Sequence, residues 1–210
     1  MRRVVIKEFC EIIEDSVSMA ASENKIVQHD ELPTVKDELS VTLYLKVKSI
    51  NSDWACIFHK GTEGHIRTPS LWLWPRKTTL HARFSGNWNC NTGIGETTNQ
   101  LSLNKWHHIS YTLSDSEKRL DLYIDGLWVG YYGIEDVQTQ KVLFNTRPLH
   151  IGSAIDPGIT GDISNFRYFN WRLTAEEVQK NFLVGAFRLL HLYGFYSAAH
   201  NNHPIFSKKI

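Results

Sequence analysis

Cysteine is scarce in this chain of 210 residues, with only Cys10, Cys56 and Cys90 present. An odd number without metal-ligand spacing excludes a complete disulfide framework and leaves at least one thiol free. Glycosylation sequons are missing altogether: no asparagine is followed two places later by serine or threonine. Apolar runs are short, and none approaches the ~20 residues of a membrane-spanning helix. The N-terminus, MRRVVIKEFCEIIEDS, has too brief an apolar stretch and too many acids for a signal or transit peptide. Charge of one sign is lacking as well. With 23 basic against 22 acidic residues, nothing favours general attraction to nucleic acid or an anionic membrane. These absences lead us to expect an intracellular, reduced protein with no nucleic-acid partner and no membrane span. An extracellular chain relieved of its signal peptide would share them.

What is present is β-sheet patterning. Ile109, Tyr111 and Leu113 alternate with polar neighbours, the period of two of a half-buried strand. After a polar turn, Leu120, Leu122 and Ile124 repeat the pattern, and Asp125-Gly126 is a favoured pair for a two-residue type I′ hairpin. That turn would set Leu122 against Val129 and Leu120 against Tyr131 on one face, with Tyr123 paired to Trp128 on the other. Residues 41–47 alternate as clearly, and further strands are expected at 54–60, 71–74, 80–84, 142–144, 149–151 and 163–168, the last with a bulge. A chain of this length suits one sandwich-sized β domain burying roughly 70% of its unfolded surface.

The two ends differ from the middle. In residues 1–15, Val5, Phe9, Ile12 and Ile13 fall on one helical face, which predicts a short helix, packed on the domain or serving as a docking arm. Thr174 with Glu177 is a capping-box signature opening a short helix, TAEEVQKNF. Residues 185–210 are too apolar for a solvated tail and should cover part of the sandwich or form an interface. The domain proper is thus expected over 16–184.

The succession WHHISYTL, KRLDLYIDGLWVG, PLHIGSA and TGDISNFRYFNWRLTAEEV resembles the laminin-G and concanavalin A-like lectin–glucanase superfamily. His59-Lys60-Gly61 matches that family's strand ending. The resemblance implies an all-β, two-sheet antiparallel jelly roll, here with a short N-terminal helix and an apolar C-terminal extension. It raises the question of hydrolysis, which requires two carboxylates flanking the scissile bond. In the family's hydrolases these stand at alternate positions of one strand. No Glu-x-Asp-x-Glu arrangement occurs here, so the expectation is a non-enzymatic protein.

Many relatives also hold calcium at a rim. Where they read Gly-x-Ile-Asp-Glu, this chain reads Gly161-Asp162-Ile163-Ser164-Asn165, which argues against a metal cofactor; Asp53, Asp156 and Asp162 remain as loop acids that could converge. His200 and His203 stand three apart in a polar tail, and that spacing alone does not make a metal site. A sugar site needs an aromatic platform with amides or arginine beside it. The loop Asn87-Trp88-Asn89-Cys90-Asn91 has that composition, and His81 and Arg83 alternate outward from the preceding strand. Ligand-binding candidates are therefore His81, Arg83, Asn87, Trp88, Asn89 and Asn91, with Trp72 and Trp74 as a second platform. Trp88 could equally fold back to cap the sandwich. Two functions follow: an intracellular protein-binding adaptor or structural domain, or a lectin-like domain binding glycan at the 83–91 rim.

Overall fold

A computed structural model describes residues 6–200, with side chains placed for residues 6–189. Thirteen strands and one α-helix are seen among them. The strands are β1 (Phe9–Ile13), β2 (Val17–Met19), β3 (Asn24–Val27), β4 (Glu38–Ser49), β5 (Ala55–Lys60), β6 (Ser70–Leu73) and β7 (Leu80–Phe84). They continue with β8 (Thr92–Gly93), β9 (His107–Ser114), β10 (Arg119–Ile124), β11 (Leu127–Gly133), β12 (Leu149–Gly152) and β13 (Thr160–Phe169). The helix α1 spans Ala175–His200. Two antiparallel sheets result. One runs β1-β13-β4-β9-β10-β11, with β2 also on β13; the other runs β3-β12-β5-β6-β7-β8.

The alternation seen in sequence becomes the core. Val41, Leu43, Leu45 and Val47 of β4 are at most 1% exposed and meet Phe58 and Leu71 of the facing sheet in one cluster. At its centre Phe58 makes edge contacts with Tyr111 and Phe166, ring centroids 6.0 and 5.7 Å away. The opposite face of β4 is buried too: Thr42 and Tyr44 are 1% and 4% exposed. The cause is α1, which lies over this face. Tyr44 donates a hydrogen bond to the Phe182 carbonyl, and His108 sits between the Tyr44 ring and Phe182.

The capping box is present, with Glu177 N–H donating to Thr174 Oγ1 and Thr174 N–H to Glu177 Oε2. The helix it opens does not stop at the short segment expected. It continues into the apolar extension as far as His200; Gly185 lies against Tyr44 of the sheet, Leu189 is buried and Arg188 reaches Glu11 at 2.7 Å. The described part of the extension therefore covers a sheet face. Phe187 of the extension is 68% exposed and does not share in this cover; the apolar side chains from residue 190 on, and His200 with His203, lie outside the described side chains.

The N-terminal expectation is corrected. Phe9–Ile13 is a strand, paired Phe9 to Phe169, Cys10 to Tyr168 and Glu11 to Arg167. An isolated two-turn helix gains little in water. The free edge of β13 offers a hydrogen-bond ladder, a Phe9–Phe169 stack at 5.3 Å and a charge-assisted bond from Arg167 Nε to Glu11 at 3.0 Å. Val5 lies outside the described residues. Residues 142–144 are likewise no strand; Val142 makes a single bridge to Gly86.

The central hairpin turns as expected, with Asp125 and Gly126 at φ 52° and 77°. Its register holds for Ile124–Leu127 and Tyr123–Trp128, then slips by one: Leu122 faces Gly130, and Leu120 faces Tyr132. The bulge at Val129 turns Tyr132 inward onto Phe84 (6.0 Å) and leaves Tyr131 outside, stacked on Trp128 at 5.8 Å. Asp125 does more than make the turn. Its carboxylate accepts from His108 N–H at 2.8 Å and meets His107 Nδ1 at 2.9 Å, tying the hairpin tip to the start of β9. Both histidines are buried. Burial pushes His108 down to about 3, so its ring is neutral. Tyr123, beneath α1, packs with Phe169, Leu173 and Val178.

Candidate functional site

The outer face of the six-stranded sheet carries the site. On β6 and β7, Leu71, Leu73, Leu80 and Ala82 point into the core, so Ser70, Trp72, His81 and Arg83 point the other way. Register places them in rows. His150, His59, Ser70 and Arg83 form one row across β12, β5, β6 and β7, while Cys56, Trp72 and His81 form the next. Arg83 fits because Gly93 follows it on β8, and its Nη1 donates to the Gly93 carbonyl at 3.0 Å.

Loops build walls on this floor. Trp54 from the 50–54 turn, Arg67 from the 61–69 loop, Asn91 from the 85–91 loop and Ile155 with Asp156 from the 153–158 loop enclose a cleft of about 240 Å³ over Trp72 and His81. Trp54 is held by ring contacts to Trp74 and His81, both at 4.7 Å. The Arg67 guanidinium lies 5.7 Å from the Trp72 ring and donates to Asn91 Oδ1 at 2.9 Å and to the Gly64 carbonyl.

Arg83 Nε donates to His81 Nε2 at 2.8 Å. A guanidinium has no acceptor, so that imidazole nitrogen is unprotonated. Burial, then Arg83 and Arg67, push His81 down to about 3, so it is neutral near pH 7. Asp156 is raised above the ordinary carboxylate range by burial and by Asp53, with Arg67 opposing. Beneath the 61–67 segment, His59 is 0% exposed; burial and then Arg67 push it down to about 4, with the Glu63 backbone opposing.

Of the residues expected from sequence, His81 and Asn91 line the cleft, and Arg83 braces His81 from the floor. Asn87, Trp88 and Asn89 are not among the lining residues. Asn87 ties its loop to residues 139–141, with Nδ2 donating to the Thr139 carbonyl at 3.0 Å and Oδ1 accepting from Lys141 N–H at 2.9 Å. Asn89 Oδ1 accepts from Asn91 N–H at 2.8 Å and shapes the turn. Trp88 lies over Gly86 and against Phe84, at 6.0 Å, on the core side. Of the second platform, Trp72 forms the floor and Trp74 backs Trp54. Trp54, Arg67 and Asp156 were not singled out together, because they come from three loops with no common period.

The acids part company. Asp53 lies close enough to act on Asp156, whereas Asp162 belongs to the other sheet and is held by Lys46 at 2.6 Å and by Lys48. Among the described residues no group of three or more His, Cys, Asp or Glu side chains is placed to hold a metal ion. The three cysteines are unpaired, and no described helix is long and apolar enough to cross a membrane.

A family model described as the concanavalin A-like lectin/glucanases superfamily matches residues 21–179. The chain belongs to this superfamily. Among solved structures, the botulinum neurotoxin serotype D binding domain is similar over 88% of this chain and 47% of its own, with a TM-score of 0.62 and 17% identity. A Trypanosoma rangeli sialidase is similar over 70% of this chain and 22% of its own, with a TM-score of 0.51 and 16% identity. The chain thus spans about half the toxin domain and under a quarter of the sialidase, and at these identities the likeness is one of fold. No curated protein matches the chain.

Proposed function

We propose that this superfamily member is a non-catalytic saccharide-binding module whose site is the cleft over Trp72 and His81. One observation carries the reading: Trp54, Arg67, Asn91 and Asp156 converge on a single cleft from four separate loops. An indole offers its face to the apolar side of a sugar ring, while the amide, guanidinium and carboxylate match vicinal hydroxyls. The Asp156 carboxylate accepts no hydrogen bond from a described residue. A volume below the ~300–1,000 Å³ of drug-sized pockets suits one sugar unit of a longer chain.

Binding without catalysis is supported by the acid inventory. Among the described residues lining the cleft, Asp156 is the one carboxylate and there is no tyrosine, whereas most glycoside hydrolases use a pair of carboxylates and sialidases a tyrosine nucleophile. A neutral His81 held by Arg83 is poorly suited to proton transfer near pH 7. The test is a glycan array probed with the intact chain and with Trp54→Ala, each with and without calcium. Binding that disappears in the variant is expected; an intact chain that retains no glycan under either condition sinks the reading.

A different observation favours a second reading, as a protein-binding adaptor in a reducing, intracellular setting suited to three free thiols. Strand β11 ends its sheet, and Leu127, Trp128 and Tyr131 are 69%, 53% and 57% exposed along it. The occupant would be an extended apolar segment of another protein, added as a further strand. Displayed peptides that bind the wild type and Trp54→Ala but not Trp128→Ala would support it; peptides indifferent to Trp128 would not.

A further inference from the structure

The arginines on the two faces of the sandwich differ in one respect. On the face covered by α1, Arg119 pairs with Asp121, Arg167 with Glu11, Arg172 with Asp121 and Glu117, and Arg188 with Glu11. On the cleft face, neither Arg67 nor Arg83 has a carboxylate within ion-pair distance among the described residues. Their partners are neutral: Asn91 and the Gly64 carbonyl for Arg67, His81 and the Gly93 carbonyl for Arg83. Both are partly buried; burial and then Arg67 lower Arg83, while burial lowers Arg67 with Asp156 among the groups opposing. Asp156, the acid on the cleft, contacts neither guanidinium, and Asp53 is exposed and caps the Trp54 N–H at 2.8 Å.

The unpartnered buried atoms tell the same story. Among the residues lining the cleft, Arg67 Nε and Trp72 Nε1 lack any partner among the described residues, and both can only donate. Trp72 is 3% exposed. Arg67 has committed one N–H at each of its two Nη atoms, leaving donors in a planar fork suited to an oxyanion. The cleft therefore holds two guanidiniums of which neither is ion-paired among the described residues, with Asp156 acting on Arg67 only from beyond ion-pair distance.

We infer that the cleft selects acidic saccharides: a sugar carboxylate or sulfate ester seats on the Arg67 fork, and Arg83, one strand over, adds its field behind His81. This rests on the saccharide reading above and adds the charge of the ligand. A bound oxyanion would relieve the repulsion between the two guanidiniums and give Arg67 an anionic partner at hydrogen-bond distance.

The test is calorimetric titration of the intact chain with matched oligosaccharides, one neutral, one bearing a uronate and one bearing a sulfate ester, at low and high salt. At least one acidic ligand is expected to bind about tenfold or more tighter than its neutral match, with the margin shrinking in salt. The uronate and sulfate arms separate the two sources of the oxyanion. Arg67→Gln should erase the margin, weakening the acidic ligand by a larger factor than its neutral match, and Arg67→Lys, which keeps charge without the fork, should retain only part of it. A thermal melt confirms that both variants fold. Neutral and acidic ligands binding equally, or a margin unchanged in Arg67→Gln, would overturn the inference and leave the saccharide site standing. No binding of any of the three overturns both.

Discussion

Gly185 of α1 lies flat against the ring of Tyr44, so close that a Cβ at position 185 would overlap the ring at Cε2. Tyr44 cannot easily yield. It is 4% exposed, its hydroxyl is bonded to the Phe182 carbonyl, and its other side meets His108 at 5.0 Å. Helix propensity alone would make Gly185→Ala stabilising by up to about 1 kcal/mol. Overpacking of about 1–3 kcal/mol should outweigh it. We expect Tm to fall by roughly 3–6 °C; a rise would mean that α1 floats on the sheet.

Trp88 and Trp54 should separate stability from binding. Trp88 is half-buried over Gly86 and Phe84, so Trp88→Ala should cost about 2–3 kcal/mol, less than the ~3–5 for a fully buried tryptophan. Saccharide binding should survive. Trp54→Ala should do the reverse, with lost binding and a small change in the denaturation midpoint. Chemical denaturation and titration of the two variants side by side check both halves.

Lys60 gives a pH signature. It is 2% exposed, and its ammonium is held by the carbonyls of Asn145 and Arg147, both at 2.7 Å, without a carboxylate. Burial pushes it down to about 8, from an ordinary lysine value of 10.5. Between those values the unfolded chain binds the proton more tightly, so this group adds stability as pH rises. Wild-type Tm should therefore climb relative to Lys60→Met from about pH 8 to 10.5. Parallel curves would show that the ammonium is not penalised.

Asp156 should trade stability for function. Its carboxyl is raised by burial first and then by Asp53, so the ionised form is disfavoured in the folded state, and its contribution falls as pH rises through the folded value. Asp156→Asn is expected to raise Tm at pH 7 by about 2 °C at most while weakening saccharide binding. The two melting curves should converge as pH drops and the wild-type carboxyl becomes neutral. A lower Tm in the variant at every pH would contradict the assignment.

How much of this was legible in the chain depends on how local each determinant is. The strands of residues 41–47 and 109–124 carry their own period, and Asp125-Gly126 its own turn, so both were readable. The first strand was not. Val5, Phe9, Ile12 and Ile13 satisfy a helical period, and only the open edge of β13, far off in sequence, makes Phe9–Ile13 a strand. The slip at Val129 was hidden for a similar reason, since which tyrosine turns inward is decided by contact with Phe84. In the cleft, the parity of His81 and Arg83 followed from a strand and held. The 85–91 loop has no parity, and nothing local shows that Trp88 turns to the core while Asn91 reaches Arg67.

The floor of the cleft stands on paired strands, whereas nearly all of its walls stand on loops. Strand spacing of ~4.8 Å fixes Trp72 beside His81, but the loops bearing Trp54, Arg67, Asn91 and Asp156 are free to change length and composition without disturbing that ladder. Such a surface is an evolvable one. Descendants of the chain could exchange one ligand for another by rewriting four short loops, and a randomised library confined to them would explore new specificities on a scaffold that keeps its fold.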